Sequence, residues 1–225
     1  MRIGFDIDGV LADFQSVYQQ LVVRLTGRDL FHSGDAENPP VWDWPEHRGY
    51  LPSEMQKVWV HIVANPHFWQ SLPPTPFLLR AYDRLAALGR NRDHDLYFVT
   101  DRRGLNVKRQ TENWLDRFMD IQQPTVLITP DKGGAARLLK LDAYIDDRWD
   151  NVQDVATMTK PRSEQEFIEA FKRTPIPKLD TLEVVYQTPM TRPFLLNKRY
   201  NADKPVDPVV TRIDNLEQFL DLIKV

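Results

Sequence analysis

Met1-Arg-Ile-Gly-Phe-Asp-Ile-Asp-Gly-Val-Leu-Ala-Asp-Phe14 decides how the rest of the chain is read. Ile3, Phe5 and Ile7 alternate with Gly4, Asp6 and Asp8, the period-two pattern of a short strand running into Gly9. A strand that ends in two carboxylates sets them at the carboxyl edge of a sheet, where open α/β sheets bind ligands. Two acids there suit a hard cation, with one carboxylate able to bind metal and to attack while the other handles a proton. A polar strand end with an ordinary Asp-Gly turn would look the same. This stretch alone does not choose.

Three later segments do. Leu96-Tyr-Phe-Val-Thr100 is a hydrophobic strand ending in a hydroxyl residue. Thr125-Val-Leu-Ile-Thr-Pro-Asp-Lys132 is a strand followed by a lysine, and Leu141-Asp-Ala-Tyr-Ile-Asp-Asp147 is a strand ending in paired carboxylates. With Asp-Ile-Asp-Gly-Val-Leu-Ala-Asp as the first of four parts in this order, the chain resembles the haloacid-dehalogenase superfamily of phosphohydrolases. The fold expected is α/β, a Rossmann-like parallel sheet with helices on both faces and a mainly helical cap inserted after the first strand.

Bulk properties are those expected of an ordinary soluble globular chain. The 225 residues, 42% hydrophobic and 27% charged, suffice for one domain with an insertion or two small ones. A net charge of −3 argues against a nucleic-acid polymer as partner. Asp6 and Asp8 interrupt the N-terminus and no long apolar run follows, so neither signal peptide nor membrane span is expected. The absence of cysteine excludes disulfides and thiol catalysis and agrees with a cytoplasmic location. The five histidines show no metal-site spacing, which disfavours zinc. Oligomeric state is not legible; a homodimer is admitted.

Taken in order, Phe14, Val17, Tyr18, Leu21, Val22 and Leu25 recur at helical spacing up to Gly27. Residues 28–50, with Pro39-Pro40 and Trp42-Asp-Trp-Pro, read as an irregular aromatic-rich connection. Residues 52–64 form a second helix with Met55, Val58, Trp59 and Ile62 on one side, and 65–74 lead back. Thr75-Pro76 opens a helix with Leu78, Leu79, Tyr82, Leu85 and Ala86 as its stripe and Gly89 at its end. A strand over 95–100, a helix around Val107–Phe118, a strand over 125–129, a helix from Ala135 to Leu139 and a strand over 142–146 follow, an alternation that specifies a parallel sheet. Beyond Asn151 the reading is a helix over 164–171, strands over 182–186 and 193–196, a proline-rich insertion or flap over 175–208, and a last helix opened by Asp214 and Glu217. The core is thus expected at 1–14 and 75–225, with an extension over 152–208, and the cap at 15–74.

The superfamily resemblance implies a set of roles. Asp6 attacks phosphorus and forms an aspartyl-phosphate, and Asp8 protonates the leaving oxygen and then activates water. Mg²⁺ is expected on Asp6, the Asp8 backbone carbonyl and Asp147, with Asp146 in support. Thr100 holds a phosphate oxygen. Lys132 neutralises the phosphate and, as a nearby ammonium, lowers the Asp6 pKa.

Within the superfamily the chain is most similar to the 5′(3′)-deoxyribonucleotidases, over about residues 3–151. The segments that carry this are Asp8-Gly-Val-Leu-Ala-Asp-Phe14, Arg48-Gly-Tyr-Leu51, Phe68-Trp69 before Leu72-Pro-Pro74, Trp114, Leu127-Ile-Thr-Pro-Asp-Lys132 and Tyr144-Ile-Asp-Asp-Arg148. The resemblance implies a nucleoside 5′-monophosphate as substrate, with Tyr50 and Trp69 stacking on the base. Asp101 stands where the family has a small hydroxyl residue, and would repel phosphate unless it turns away or pairs with Arg102 or Arg103; Asp101 and Arg102 are therefore counted with the substrate-binding residues. The loop around Trp42 and Trp44 and the tail after residue 151 are longer than the family pattern. Another small monoester such as a sugar phosphate, or a binding module without turnover, are the alternatives.

Overall fold

The computed structural model describes residues 1–91, 93–163, 165–166, 168–169 and 189–224. Six parallel strands form one sheet in the order β3-β2-β1-β4-β5-β6: β1 Arg2–Phe5, β2 Asp95–Thr100, β3 Thr125–Ile128, β4 Ala143–Asp146, β5 Arg192–Leu196 and β6 Thr211–Ile213. The chain builds outward from β1 through β2 to β3, then crosses to β4 on the other side of β1 and continues to β6. The reversal opens a crevice between the carboxyl ends of β1 and β4, where such sheets take ligands. Asp6 follows the last residue of β1, and Asp146 ends β4.

Period-two alternation sends side chains to both faces of the sheet. Ile3, Phe5, Phe98, Ile145 and Phe194 pack with Leu85, Trp114 and Phe219, from helices α4 Pro76–Arg90, α5 Val107–Met119 and α8 Leu216–Ile223. Tyr97, Val99 and Tyr144 point the other way, towards Ala135, Ala136 and Val155 of α6 Lys132–Leu138 and α7 Trp149–Met158. Continuous apolar strands buried on both faces are what a parallel sheet requires. Phe5 stacks on Phe98 at 5.9 Å and meets the edge of Phe219 at 5.6 Å, which ties the last helix to the first strand.

The block between β1 and α4 holds α1 Phe14–Thr26, the short α2 Trp44–His47, α3 Pro52–Ala64 and a 3-10 turn at Trp69–Ser71. Asp13 caps α1, accepting from the Ser16 N–H, and left-handed Gly27 closes it. α1 and α3 pack on each other, and the stems meet where Asp13 N–H donates to Pro73 and Thr75 N–H donates to Leu11. The irregular stretch between them is held by Arg48, which grips Asp35 through two hydrogen bonds of 2.7 and 2.8 Å. No helix among the described residues is long and apolar enough to cross a membrane.

Several details differ from the sequence expectation. α4 continues past Gly89 to Arg90, and Leu79 and Tyr82 lie outward while Ala81 and Leu88 are buried. α7 is not anticipated, although Val152, Val155 and Ala156 carry helical spacing. The last helix is capped one residue later, by Asn215, whose side chain accepts from Gln218 N–H while the Gln218 side-chain Oε1 accepts from Asp214 N–H. The expected strand at 182–186 and part of the expected helix at 164–171 lie outside the described residues. Past them, β5 and β6 do not form a flap but extend the central sheet.

Candidate active site

At the carboxyl edge, Asp6, Asp146 and Asp147 bring carboxylate oxygens within 4.8 Å of one another, all three buried. Lys132 is delivered by the start of α6, where Asp131 caps the helix by accepting from Gly134 N–H at 2.7 Å. Its Nζ donates to Asp6 Oδ1 at 2.6 Å and to the Val99 carbonyl. Gly9 makes the close approach feasible: its φ is +86°, and a Cβ there would stand 1.9 Å from Asp147 Oδ2.

Burial dominates the electrostatics, and mutual repulsion of the acids adds to it. Desolvation pushes Asp6 up to about 7; Lys132 opposes this, and Asp146 and Asp8 add to it. The ammonium thus acts in the expected direction but does not prevail. Asp146 and Asp147 are each raised to about 6, again mainly by burial. Three acids that resist ionising side by side are what a site arranged for a cation looks like before the cation is counted. The oxygens differ in availability. Asp146 is fully engaged, accepting from Tyr144 Oη at 2.8 Å, Asn151 Nδ2 at 3.0 Å and Arg148 N–H at 2.8 Å. Asp147 Oδ1 is buried and has no hydrogen-bond partner among the described residues. An unpaired buried carboxylate oxygen is costly unless something positive meets it.

On the other side of Asp6, Asp8 faces Arg102. The guanidinium grips both carboxylate oxygens, at 2.9 and 2.8 Å, and reaches Thr111 at 3.1 Å. Thr100 Oγ1 adds a longer contact to Asp8 at 3.4 Å. Arg102 is wholly buried and does not line the cavity, so its side chain faces Asp8 rather than a substrate. Asp101 does line the cavity and pairs with Arg103 at 3.4 Å.

Asp6, Asp8, Thr100, Lys132 and Asp147 open into a cavity of about 650 Å³ whose other wall includes Phe14, Trp42, Trp59 and Trp69. Trp69 is held on all sides: its indole N–H donates to Arg103 O at 2.9 Å, Phe14 lies near-parallel at 5.8 Å, and Arg102 sits 5.1 Å from its ring centre. Trp59 and Trp42 present far more surface, 39% and 44% exposed. Tyr50 is not brought to the cavity. Its ring packs on Phe31 at 5.0 Å, and its hydroxyl donates to Arg28 O and accepts from Leu30 N–H. The expectation that Tyr50 stacks on a substrate base therefore does not match its position in the core of the inserted block.

Sequence reasoning also passes over Tyr200 and Asn201, which follow β5 and touch Asp147. Tyr200 Oη donates to Asp147 Oδ2, and Asn201 Nδ2 donates to the Asp147 carbonyl at 2.7 Å. No motif marks them, and more than fifty residues separate them from Asp147.

A profile of the family "5′ nucleotidase, deoxy (Pyrimidine), cytosolic type C protein" matches residues 1–170. No curated protein matches the chain. Among solved structures, a proposed haloacid dehalogenase-like hydrolase from Burkholderia xenovorans superposes with a TM-score of 0.53 at 12% identity, covering 98% of this chain and 95% of that one. A proposed phosphoglycolate phosphatase from Lactobacillus plantarum gives 0.50 at 16% identity, covering 98% of both chains. At such identities the likeness is one of fold.

Proposed function

Because the chain belongs to the 5′ nucleotidase, deoxy (pyrimidine), cytosolic type C family, and is thus a phosphoric monoester hydrolase on a haloacid-dehalogenase fold, we propose that its substrate is a nucleoside 5′-monophosphate. One observation carries this reading: an Asp6–Lys132 pair beside Asp147 on the floor of a cavity whose opposite wall is aromatic. The floor matches the chemistry of a phosphate ester, and the wall matches the face of a base. Residues 15–74 are the cap that supplies Trp42, Trp59 and Trp69. The family's description and the lack of a membrane-spanning helix among the described residues support a cytosolic enzyme.

In this mechanism an Asp6 oxygen attacks phosphorus, the ester P–O bond breaks, and Asp8 gives the departing oxygen its proton. Water then attacks phosphorus of the aspartyl-phosphate, Asp8 takes the proton, and inorganic phosphate leaves with Asp6 regenerated. Asp8 must first release one Arg102 hydrogen bond and take up a proton from water, since both of its oxygens are occupied by that guanidinium; the proton taken from the attacking water later restores that state. Thr100 and Lys132 hold the phosphoryl oxygens. The convergent carboxylates and the orphaned Asp147 Oδ1 fit a divalent cation, Mg²⁺ by the oxygen-only donor set, held by Asp6, Asp147 and the Asp8 carbonyl with Asp146 in support. When bound, it supplies the positive charge that stabilises ionised Asp6 and the transferring phosphoryl group.

The test is a panel of phosphate monoesters, with Mg²⁺ and with chelator, on the parent and Trp59→Ala. Loss of one stacking ring costs about 1–3 kcal/mol per base, so kcat/KM for nucleoside monophosphates should fall roughly ten- to hundredfold. A sugar phosphate should be nearly unaffected. An equal fall for both substrates favours the second reading, a phosphatase for small monoesters without a base. The withdrawal of Tyr50 into the cap core is the observation on that side.

A further inference from the structure

We propose that Tyr200, in the connection between β5 and β6, is a positioning residue for Asp147 and thereby sets how tightly the site takes a divalent cation; this rests on the cation reading above. Asp147 presents two oxygens in different situations. Oδ2 is pinned between the Tyr200 hydroxyl, which donates to it, and the Cα of Gly9, where a Cβ would come within 1.9 Å. Oδ1 is buried, unpartnered among the described residues, and belongs to the carboxylate trio. A carboxylate fixed by one oxygen cannot swing, so the other is presented in a single direction. Hydrogen bonds of this kind orient ligating groups, and their loss typically costs 10–100-fold in metal affinity.

The connection around Tyr200 is built to hold that phenol still. Asn201 Nδ2 bridges the carbonyls of Asp147 and Leu196 at 2.7 and 2.9 Å, which ties the segment to the ends of β4 and β5 together. Asn201 Oδ1 accepts from Lys198 N–H at 3.1 Å, and Arg212 donates to the carbonyls of Asn201 and Lys204. On the open side, Arg199 N–H donates to Asn38 at 2.7 Å, and the Tyr200 ring meets Trp42 edge-on at 5.5 Å. Asn38 and Trp42 belong to the inserted block. The contact to Asp147 is therefore braced from the sheet and from the block above the cavity. All of these residues of the connection lie beyond residue 170, where the family match stops.

The experiment is calorimetric titration of Mg²⁺ into the full-length, metal-free chain, comparing the parent, Tyr200→Phe and Asp147→Asn without phosphate. Tyr200→Phe keeps the ring and its packing on Trp42 and removes only the donor. Its Mg²⁺ dissociation constant should rise about tenfold or more, with an unchanged far-UV spectrum. Asp147→Asn should bind far more weakly still. Unchanged affinity in Tyr200→Phe, with binding lost in Asp147→Asn, would overturn the positioning role and leave the cation site standing. Parent-like binding in Asp147→Asn, or none in the parent, would overturn both.

Discussion

Asp8 and Asp147 flank the same carboxylate, Asp6, and the chain surrounds them in opposite ways. Asp8 has both oxygens on the buried guanidinium of Arg102, and its own side chain is 20% exposed. Asp147 is fully enclosed, has one oxygen on a neutral phenol, and leaves the other without a hydrogen-bond partner among the described residues. One acid arrives in a salt bridge with its counter-charge; the other is set among like charges and, though Lys198 and Arg148 act on it electrostatically, has no salt bridge among the described residues. Chemically identical side chains thereby suit different partners, and the proposed mechanism uses them so: a proton relay on the β2 side of the crevice and a cation on the β4 side.

The largest expected effect falls on the residue both flanks serve. Asp6→Asn cannot form the aspartyl-phosphate, and kcat should drop on the order of 10⁴-fold or more, the scale seen when one member of a catalytic unit is removed. Single-turnover assays of the pure variant check this. Appreciable turnover would remove the covalent mechanism and with it the reason for comparing the flanks.

The flanks themselves should respond unequally in stability. Asp8→Asn leaves Arg102 buried with a neutral partner and Thr111, so the metal-free fold should lose roughly 2–3 kcal/mol in urea denaturation. Asp147→Asn still offers the Tyr200 hydroxyl an acceptor and removes one of three crowded negative charges. Its cost should be below about 1 kcal/mol. Equal losses would mean that charge balance does not distinguish the two sides.

What made these positions legible in the sequence also explains what stayed hidden. Asp6, Thr100, Asp146 and Asp147 each end or directly follow a run of buried strand residues, Lys132 comes shortly after the apolar edge strand β3, and parallel strands deliver all such ends to one edge of the sheet. The six-strand core follows from the same alternation, apart from β6, too short to show a pattern. Side-chain direction outside regular elements has no such periodicity. Tyr50 faces the backbone of Arg28 and Leu30, and Arg102 turns under the sheet edge to Asp8, because of partners distant in sequence. Tyr200 reaches Asp147 only once β5 is laid beside β4, a pairing that a proline-rich stretch does not announce.

A third, smaller difference appears with pH. In the folded chain Asp6 titrates near about 7 and Asp146 and Asp147 near about 6, against an ordinary 3.8. Between those values the folded state holds protons that the unfolded state has released. Their contribution therefore favours folding in acid and is lost as pH rises through about 6 to 7. If Mg²⁺ binds as proposed, it competes with those protons for the same oxygens, so its stabilising shift in melting temperature should be larger at about pH 8 than at about pH 5. Thermal scans with and without Mg²⁺ at the two pH values check this. Asp147→Asn should flatten the dependence, and Asp8→Asn should leave it in place.

The smallest effect is expected at Asp101, next to Arg102 but outside its grip. It lies on the cavity wall beside four other acids, Asp6, Asp8, Asp147 and Asp150, and the chain balances it with Arg103 at 3.4 Å, across a pair that is largely open to water. Exposed ion pairs of this sort contribute about 0–1 kcal/mol, and the partial neutralisation leaves little repulsion for an incoming phosphate to feel. Asp101→Ser should therefore lower KM by no more than about threefold, under 1 kcal/mol, with kcat unchanged and stability within error of the parent. Raising the salt concentration should shrink even that difference, because an exposed charge is screened while Asp8 and Asp147, in their closed surroundings, are not. Steady-state kinetics at low and high salt separate the cases. A fall in kcat at either salt would show that Asp101 acts on the reacting atoms, and the β2 flank would then hold two working acids.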